Sequence, residues 1–301
     1  MKILVVGATG ALGRPVVQGL LAQGVAVRAL ARSNEQAAAL AAAGIEAVPG
    51  DLIDAASLHA ACRGVDRVLA AAHGLLGRGR QRSQQVDDAG HRALIDAARQ
   101  AGVQRFVYTS AFGASASHPV DFFRTKHAIE RLLLASALDA VILRPTAFME
   151  HHAHNFNGAA LLAKGKVQLI GPGTKPRNFV AATDVAGFAL RALLEDPPPW
   201  RLLEIGGPGH YSALDVAALY ARTAGIPLRV SHLPRGVARL LSVVAAPLHP
   251  GLARVMRLMS LPDAAMPERF DGAAALQVTS GLGLTTMEAF VQARVAESRG
   301  I

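Results

Sequence analysis

The sequence predicts an α/β fold, a doubly wound parallel sheet with a smaller lobe toward the C-terminus. Three observations carry this expectation. Short apolar runs alternate with segments of helical period as far as Pro145, and that alternation requires parallel strands with helices on both faces. Glycines stand at positions 7, 10 and 13, between the apolar run Ile3-Leu4-Val5-Val6 and a helical pattern that begins at Val16. The regularity then loosens after Pro145.

In chain order, strands are expected at residues 3–6, 25–30, 46–48, 67–72, 105–109 and 140–143. Helices are expected at 35–43, 57–62, 84–101 and 125–136. The longest, 84–101, carries Val86, Ala89, Ala93, Leu94, Ala97 and Ala98 near helical spacing, and Gly102 closes it. Beyond Pro145 the pattern gives a helix and a strand at 167–170 within 158–173, then a helix at 183–194 that Asp196-Pro197-Pro198-Pro199 stops. A strand at 202–205 is expected to rejoin the main sheet, followed by a helix at 212–224 and a strand at 228–233. Ser212 with Asp215 resembles a capping box. The expected division is a first domain over 1–155, rejoined by strand and helix near 178–224, and a smaller interleaved substrate lobe over 156–301.

With 301 residues, 51% hydrophobic and 18% charged, the chain can bury a large core and is not a disordered segment. One cysteine, Cys62, excludes an internal disulfide and suits a reducing cytoplasm. The apolar start ends at Gly7 without a cleavage stretch, so it is assigned to a strand and not to a signal segment. A net charge of +9 admits nucleic acid, membrane surfaces or anionic small molecules as partners. Aromatics are only 5% and do not interleave with basic residues, so no nucleic-acid partner is expected. Arg78, Arg80 and Arg82 are assigned to a solvated loop. Residues 237–261 are very apolar but cut by Pro247 and Pro250 and flanked or interrupted by Arg235, Arg239, Arg254 and Arg257. Two short helices are expected there, with packing against the lobe favoured over a subunit contact or a membrane surface.

The glycines carry the first chemistry. Gly7 permits a sharp exit from the strand, Gly10 lets a diphosphate approach the backbone, and Gly13 lets the helix pack closely. The loop Gly7, Ala8, Thr9, Gly10, Ala11, Leu12, Gly13 then presents helix N–H groups to an anion. The pattern predicts a Rossmann-type dinucleotide-binding unit. An acidic residue about twenty positions on would hold the ribose hydroxyls of NAD. The sequence has Arg32 instead, followed by Ser33. A guanidinium pairs with a 2′-phosphate and cannot accept from hydroxyls, so NADPH is preferred over NADH. Asp51 and Leu52 follow the third strand, with Asp51 an acceptor for an adenine amino group or a helix cap. Ala71, Ala72 and His73 end the fourth strand, where small residues let a cofactor lie close. His151 and His154, with Glu150 nearby, lack a second ligand group, so no metal is expected.

Gly7 to Gly13, Gly50-Asp51-Leu52, Arg105-Phe106-Val107-Tyr108-Thr109-Ser110 and Leu143-Arg144-Pro145-Thr146-Ala147-Phe148-Met149-Glu150 together resemble the atypical short-chain dehydrogenase/reductases of the NmrA-like type. The resemblance covers about the first 190 residues well and the rest loosely, with Gly206-Gly207-Pro208 and the helix after it similar to a late family unit. It implies a Ser–Tyr–Lys constellation in active members, with Ser110 and Lys126 at the serine and lysine positions. Pro145, Thr146 and Phe148 are implied to meet the nicotinamide carboxamide. Four residues before Lys126 stands Phe122, which has no proton to donate. The resemblance therefore implies an NAD(P)H-dependent oxidoreductase without the usual tyrosine, acting on a quinone or conjugated carbonyl with Lys126 as ribose holder or base. The alternative it leaves is a non-catalytic NAD(P)-binding sensor, regulator or assembly factor.

Overall fold

The computed structural model describes residues 1–261 and 269–299. The predicted lobe 156–301 thus includes seven internal and two terminal positions that lie outside the described residues. Strand and helix alternate as β1 (Lys2–Val6), α1 (Gly13–Ala22), β2 (Ala26–Ala31), α2 (Asn34–Ala42), β3 (Glu46–Pro49), α3 (Ala55–Cys62), β4 (Arg67–Ala70), α4 (His91–Gln100), β5 (Arg105–Thr109), α5 (Asp121–Leu134) and β6 (Asp139–Pro145). There follow β7 (Ala147–Phe148), α6 (Ala159–Lys164), β8 (Val167–Ile170), β9 (Arg177–Val180), α7 (Ala182–Leu194), β10 (Leu202–Ile205), β11 (His210–Tyr211) and α8 (Ala213–Ala224). The last elements are β12 (Val230–Leu233), α9 (Arg235–Ala245), α10 (Pro250–Met259), α11 (Ala273–Ser280) and α12 (Met287–Arg299).

The main sheet has the order β10-β6-β5-β4-β1-β2-β3. Its β1 pairs in parallel with β2 and with β4, placing Val5 beside Ala29 and Val6 beside Ala70. Strand order reverses between β4 and β1, which is where open α/β sheets bind ligands. The strands are apolar on both faces because helices cover both, and Ile3, Leu4 and Val5 are fully buried. As expected, β10 rejoins this sheet.

Two helix starts differ from the sequence expectation. The segment expected as one helix over 84–101 opens with a π-helical turn, Gln84–Gly90, before α4. Helix α5 begins at Asp121, so Lys126 lies in its second turn and does not open it. Val120 at that N-cap has no capping side chain, which removed the sequence signal for the earlier start. Gly102, with φ +72°, closes α4 as expected.

The chain divides into two compact units, Met1–Arg144 with Val185–Leu203 and Leu248–Gly251, and Pro145–Asp184 with Glu204–Pro247 and Leu252–Ile301. In the first unit, part of the basic excess is internal. Arg28 donates to Glu46 and to the Ala61 carbonyl, and Arg105 donates to Asp139 at 2.7 Å and to Asp196 at 2.5 Å. Arg67 pairs with the same Asp196. These arginines are buried and tie neighbouring elements together through carboxylates and backbone carbonyls. Cys62, the sole cysteine, is buried in this unit's core, and burial pushes its thiol pKa up to about 12.

The second unit holds a three-stranded sheet, β11-β9-β7, and a parallel pair, β12-β8. Its core packs Met149, Phe179, Tyr220, Phe290 and Val291. Gly158 lets the Tyr220 ring approach, since a Cβ there would lie 2.3 Å from it. Ser212 and Asp215 form a full capping box on α8: the serine hydroxyl accepts from the Asp215 N–H at 3.1 Å, and the carboxylate accepts from the Ser212 N–H at 2.8 Å.

Candidate functional site

The glycine loop leaves β1 through Gly7, whose φ of +93° suits glycine. A Cβ on Gly7 would lie 2.8 Å from the Ala72 nitrogen, so loop and β4 end are in close contact. The Gly10 N–H donates to the Gly7 carbonyl at 2.9 Å and tightens the turn. A Cβ on Gly13 would lie 2.0 Å from that same carbonyl oxygen, so Gly13 is demanded by the loop itself. Gly10 is different. It is exposed, and a Cβ there would meet only the Gly7 oxygen, at 3.2 Å. The space in front of its backbone is open.

Buried Ala8 and Leu12 anchor the loop, while Thr9 is exposed and Ala11 half-buried. Leu12 occupies the N-cap of α1 and supplies no side-chain hydrogen bond, and the first turn has no acidic residue. The positive end of this helix is therefore left for an external anion, and the backbone accommodates one. These features fit the diphosphate of a dinucleotide.

At the end of β2, Arg32 is exposed. Its backbone N–H donates to the Gln36 side chain at 2.9 Å, and Gln36 donates in turn to the Thr9 hydroxyl at 3.3 Å. Gln36 thus joins the glycine loop to the Arg32 turn, a role that no motif in the sequence signals. The Ser33 hydroxyl accepts from the Gln36 N–H at 3.2 Å as the cap of α2, so its first duty is to the helix. Asp51 accepts from the Ile53 N–H at 3.3 Å and from the Gln81 side chain at 2.6 Å. Asp54, not Asp51, caps α3. Leu52 is buried in the core cluster. Ala71 and Ala72 are half-buried beside Gly7, and His73 is exposed with its ring edge-on to Phe122, centroids 6.5 Å apart.

Lys126 is only 3% exposed. Its ammonium donates to the Thr109 carbonyl at 3.0 Å and lies 4.9 Å from the Tyr108 ring centroid and 5.5 Å from that of Phe122. Burial lowers its pKa, opposed by the negative charges of Asp87 and Glu130. Phe122 therefore does stand beside the lysine, where a tyrosine hydroxyl would be needed for proton donation. Ser110 is buried, and its hydroxyl has no hydrogen-bond partner among the described residues, nor does that of Thr109. An orphaned buried hydroxyl beside Lys126 is unusual for a packed interior and fits a group supplied from outside. Tyr108 does not substitute for the missing tyrosine. Its hydroxyl is buried, and burial raises its pKa well above the ordinary value. Its ring meets His91 edge-on at 5.3 Å, and burial pushes the His91 pKa down to about 4.

In the second unit, Pro145 is buried and Thr146 and Phe148 are half-buried. The Thr146 N–H donates to Ile205, and its hydroxyl to the Asn178 side chain at 2.9 Å. Glu150 accepts from the Ala182 N–H at 3.0 Å and so serves the start of α7. His154 contacts the Tyr220 hydroxyl at 3.0 Å, and His151 contacts Asn155 at 3.3 Å. No group of three or more metal-ligating side chains is assembled among the described residues. Of the histidines after Glu150, His152 lines a cavity of about 330 Å³. Phe156, Leu169, Met256 and Met259 form much of its wall, Lys175, Arg177 and Arg235 add positive charge, and no carboxylate lines it among the described residues.

The reversed strand order beneath an uncapped, glycine-bounded helix start defines a Rossmann-type α/β protein. The chain belongs to the NmrA-like family, which matches residues 1–282. It is similar to the photosystem II assembly factor Ycf39 of Synechocystis, 31% identical over 241 residues, 80% of this chain and 73% of that protein. It is also 30% identical to the NAD(P)H azoreductase of Xenophilus azovorans over 228 residues, 75% of each chain. Among solved structures, the NADPH-dependent quinone oxidoreductase QOR2 of Escherichia coli, complexed with NADPH, matches with a TM-score of 0.75 and 26% identity over 97% of this chain and 99% of that one. The chain therefore has the fold of NAD(P)H-dependent oxidoreductases and relatives of two kinds, reductases and assembly factors.

Proposed function

We propose that the chain is an NADPH-binding oxidoreductase that reduces a quinone or a similar conjugated carbonyl. The observation that carries this reading is Lys126, buried against the Thr109 carbonyl, with the neighbouring Ser110 hydroxyl orphaned. NADPH, when bound, supplies a hydride. Gly7, Gly10 and Gly13, with the N–H groups at the start of α1, would hold its diphosphate, and Arg32 its 2′-phosphate. Lys126 and Ser110 would hold the nicotinamide ribose by hydrogen bonds, and Pro145, Thr146 and Phe148 would border the carboxamide. Lys126 gives up a proton more readily than an exposed lysine, because burial penalises its charge. An acceptor whose reduced oxygen draws its proton from water or Lys126 needs no tyrosine, and a quinone meets that condition. Within the second unit, a cavity of about 330 Å³ falls in the size range of small-molecule sites and is apolar with a cationic edge.

Steady-state NADPH oxidation with a panel of quinones tests the reading. Turnover with at least one of them, lost in the Lys126→Met variant, supports it. A second reading is favoured by Phe122 itself and by the likeness to the assembly factor: a dinucleotide-dependent regulator that performs no chemistry. Tight NADPH binding with no turnover on any acceptor would select that reading over the first.

A further inference from the structure

Helix α9 is built inside out. Ala238 and Ser242 are its buried residues, both at 0% exposure, and they are small. The large side chains face away. Val237, Leu240, Leu241 and Val244 fall at i, i+3, i+4 and i+7, one stripe of a helix, and all four are exposed. Leu240 and Val244 are each 66% exposed, and Val243 widens the stripe. A helix that folds to bury its own leucines turns this pattern round. In α10, by contrast, Ala253, Val255 and Leu258 are buried.

Charge selects the occupant of this face. Residues 235–261 contain four arginines and no aspartate or glutamate. On α9 the buried small residues and the apolar stripe lie on opposite sides, and Arg239 is exposed between them. An exposed aliphatic stripe with arginine at its flank is the pattern of a helix lying in a lipid–water interface, where the stripe enters the acyl boundary and the guanidinium meets anionic headgroups. A protein partner is less well matched, since binding hot spots favour Trp, Tyr and Arg over Leu and Val, and α9 has no aromatic residue. No described helix is long and apolar enough to cross a membrane, so α9 would lie on a bilayer and not span it. We infer that α9 is a docking surface for an anionic lipid bilayer. The inference is independent of the reductase reading.

Flotation of the full chain with vesicles tests it. With phosphatidylcholine–phosphatidylglycerol vesicles the protein floats, and with phosphatidylcholine alone it partitions about tenfold less. The double variant Leu240→Glu, Val244→Glu loses about tenfold or more on the anionic vesicles while its thermal melting is unchanged. Arg239→Gln loses several-fold on anionic vesicles only. Absence of flotation with the anionic vesicles, or equal flotation of the double variant, overturns the proposal. So does a dimer in sedimentation velocity that the double variant dissociates, because a second copy would then be the occupant.

Discussion

Helices α1 and α8 begin in opposite ways. At α8 the first-turn donors are closed from within, by Ser212 and Asp215 bonding reciprocally. At α1 the cap is Leu12, no side chain accepts from the first turn, no acid lies in it, and the glycines before it keep side chains out of the way. Both starts face the same physics, N–H groups without an intrahelical acceptor and a partial positive charge, although at α1 Pro15 has no N–H and the Arg14 N–H donates to the Gly10 carbonyl at 3.1 Å. One is satisfied by the fold and contributes stability. The other is left open and can contribute binding. The difference teaches that a missing cap marks a site only when the backbone in front is also clear, as it is at Gly10.

Four substitutions break or sharpen this contrast. Gly13→Ala has the largest expected effect: a methyl 2.0 Å from the Gly7 oxygen displaces the loop, costs about 3 kcal/mol in chemical denaturation and abolishes NADPH binding by calorimetry. Gly10→Asp puts a carboxylate where the diphosphate is proposed to lie, in open space. The NADPH dissociation constant is expected to rise about a hundredfold, about 2.7 kcal/mol, with little change in melting temperature. Arg32→Glu is expected to raise that constant at least about tenfold, about 1.4 kcal/mol, and to leave NADH affinity unchanged or improved. An unaltered NADPH constant would remove Arg32 from the site. Ser212→Ala removes half of the closed cap. It should lower stability by about 1 kcal/mol and leave the dinucleotide constant untouched. A loss of binding in that last variant would break the comparison.

The main sheet was legible because each strand is an apolar run between helical periods, and because Gly7, Gly10 and Gly13 sit between strand and helix. Ser212 and Asp215 were legible for the same reason, a local signal with a local cause. Gln36 was not. Its side chain reaches back 27 residues to Thr9 while accepting from the Arg32 N–H, and a glutamine carries no signature of such a tie. The engagement of Asp51 by Gln81 was hidden likewise. The start of α5 was placed late because Val120 gives no cap. Helices α11 and α12 escaped altogether: α11 is a short alanine-rich segment, and α12 mixes apolar and charged residues without a clean stripe. Composition showed that 237–261 is apolar, but not which way α9 would turn, since direction is decided by what the helix packs against.

The inert thiol of Cys62 has a practical consequence. A protein whose only native sulfhydryl is sealed in its core offers a silent background for reporter chemistry. A cysteine installed at an exposed position such as Val244 would be the single fast-reacting handle on the molecule. A polarity-sensitive fluorophore attached there would report, by its emission colour, the moment that side leaves water.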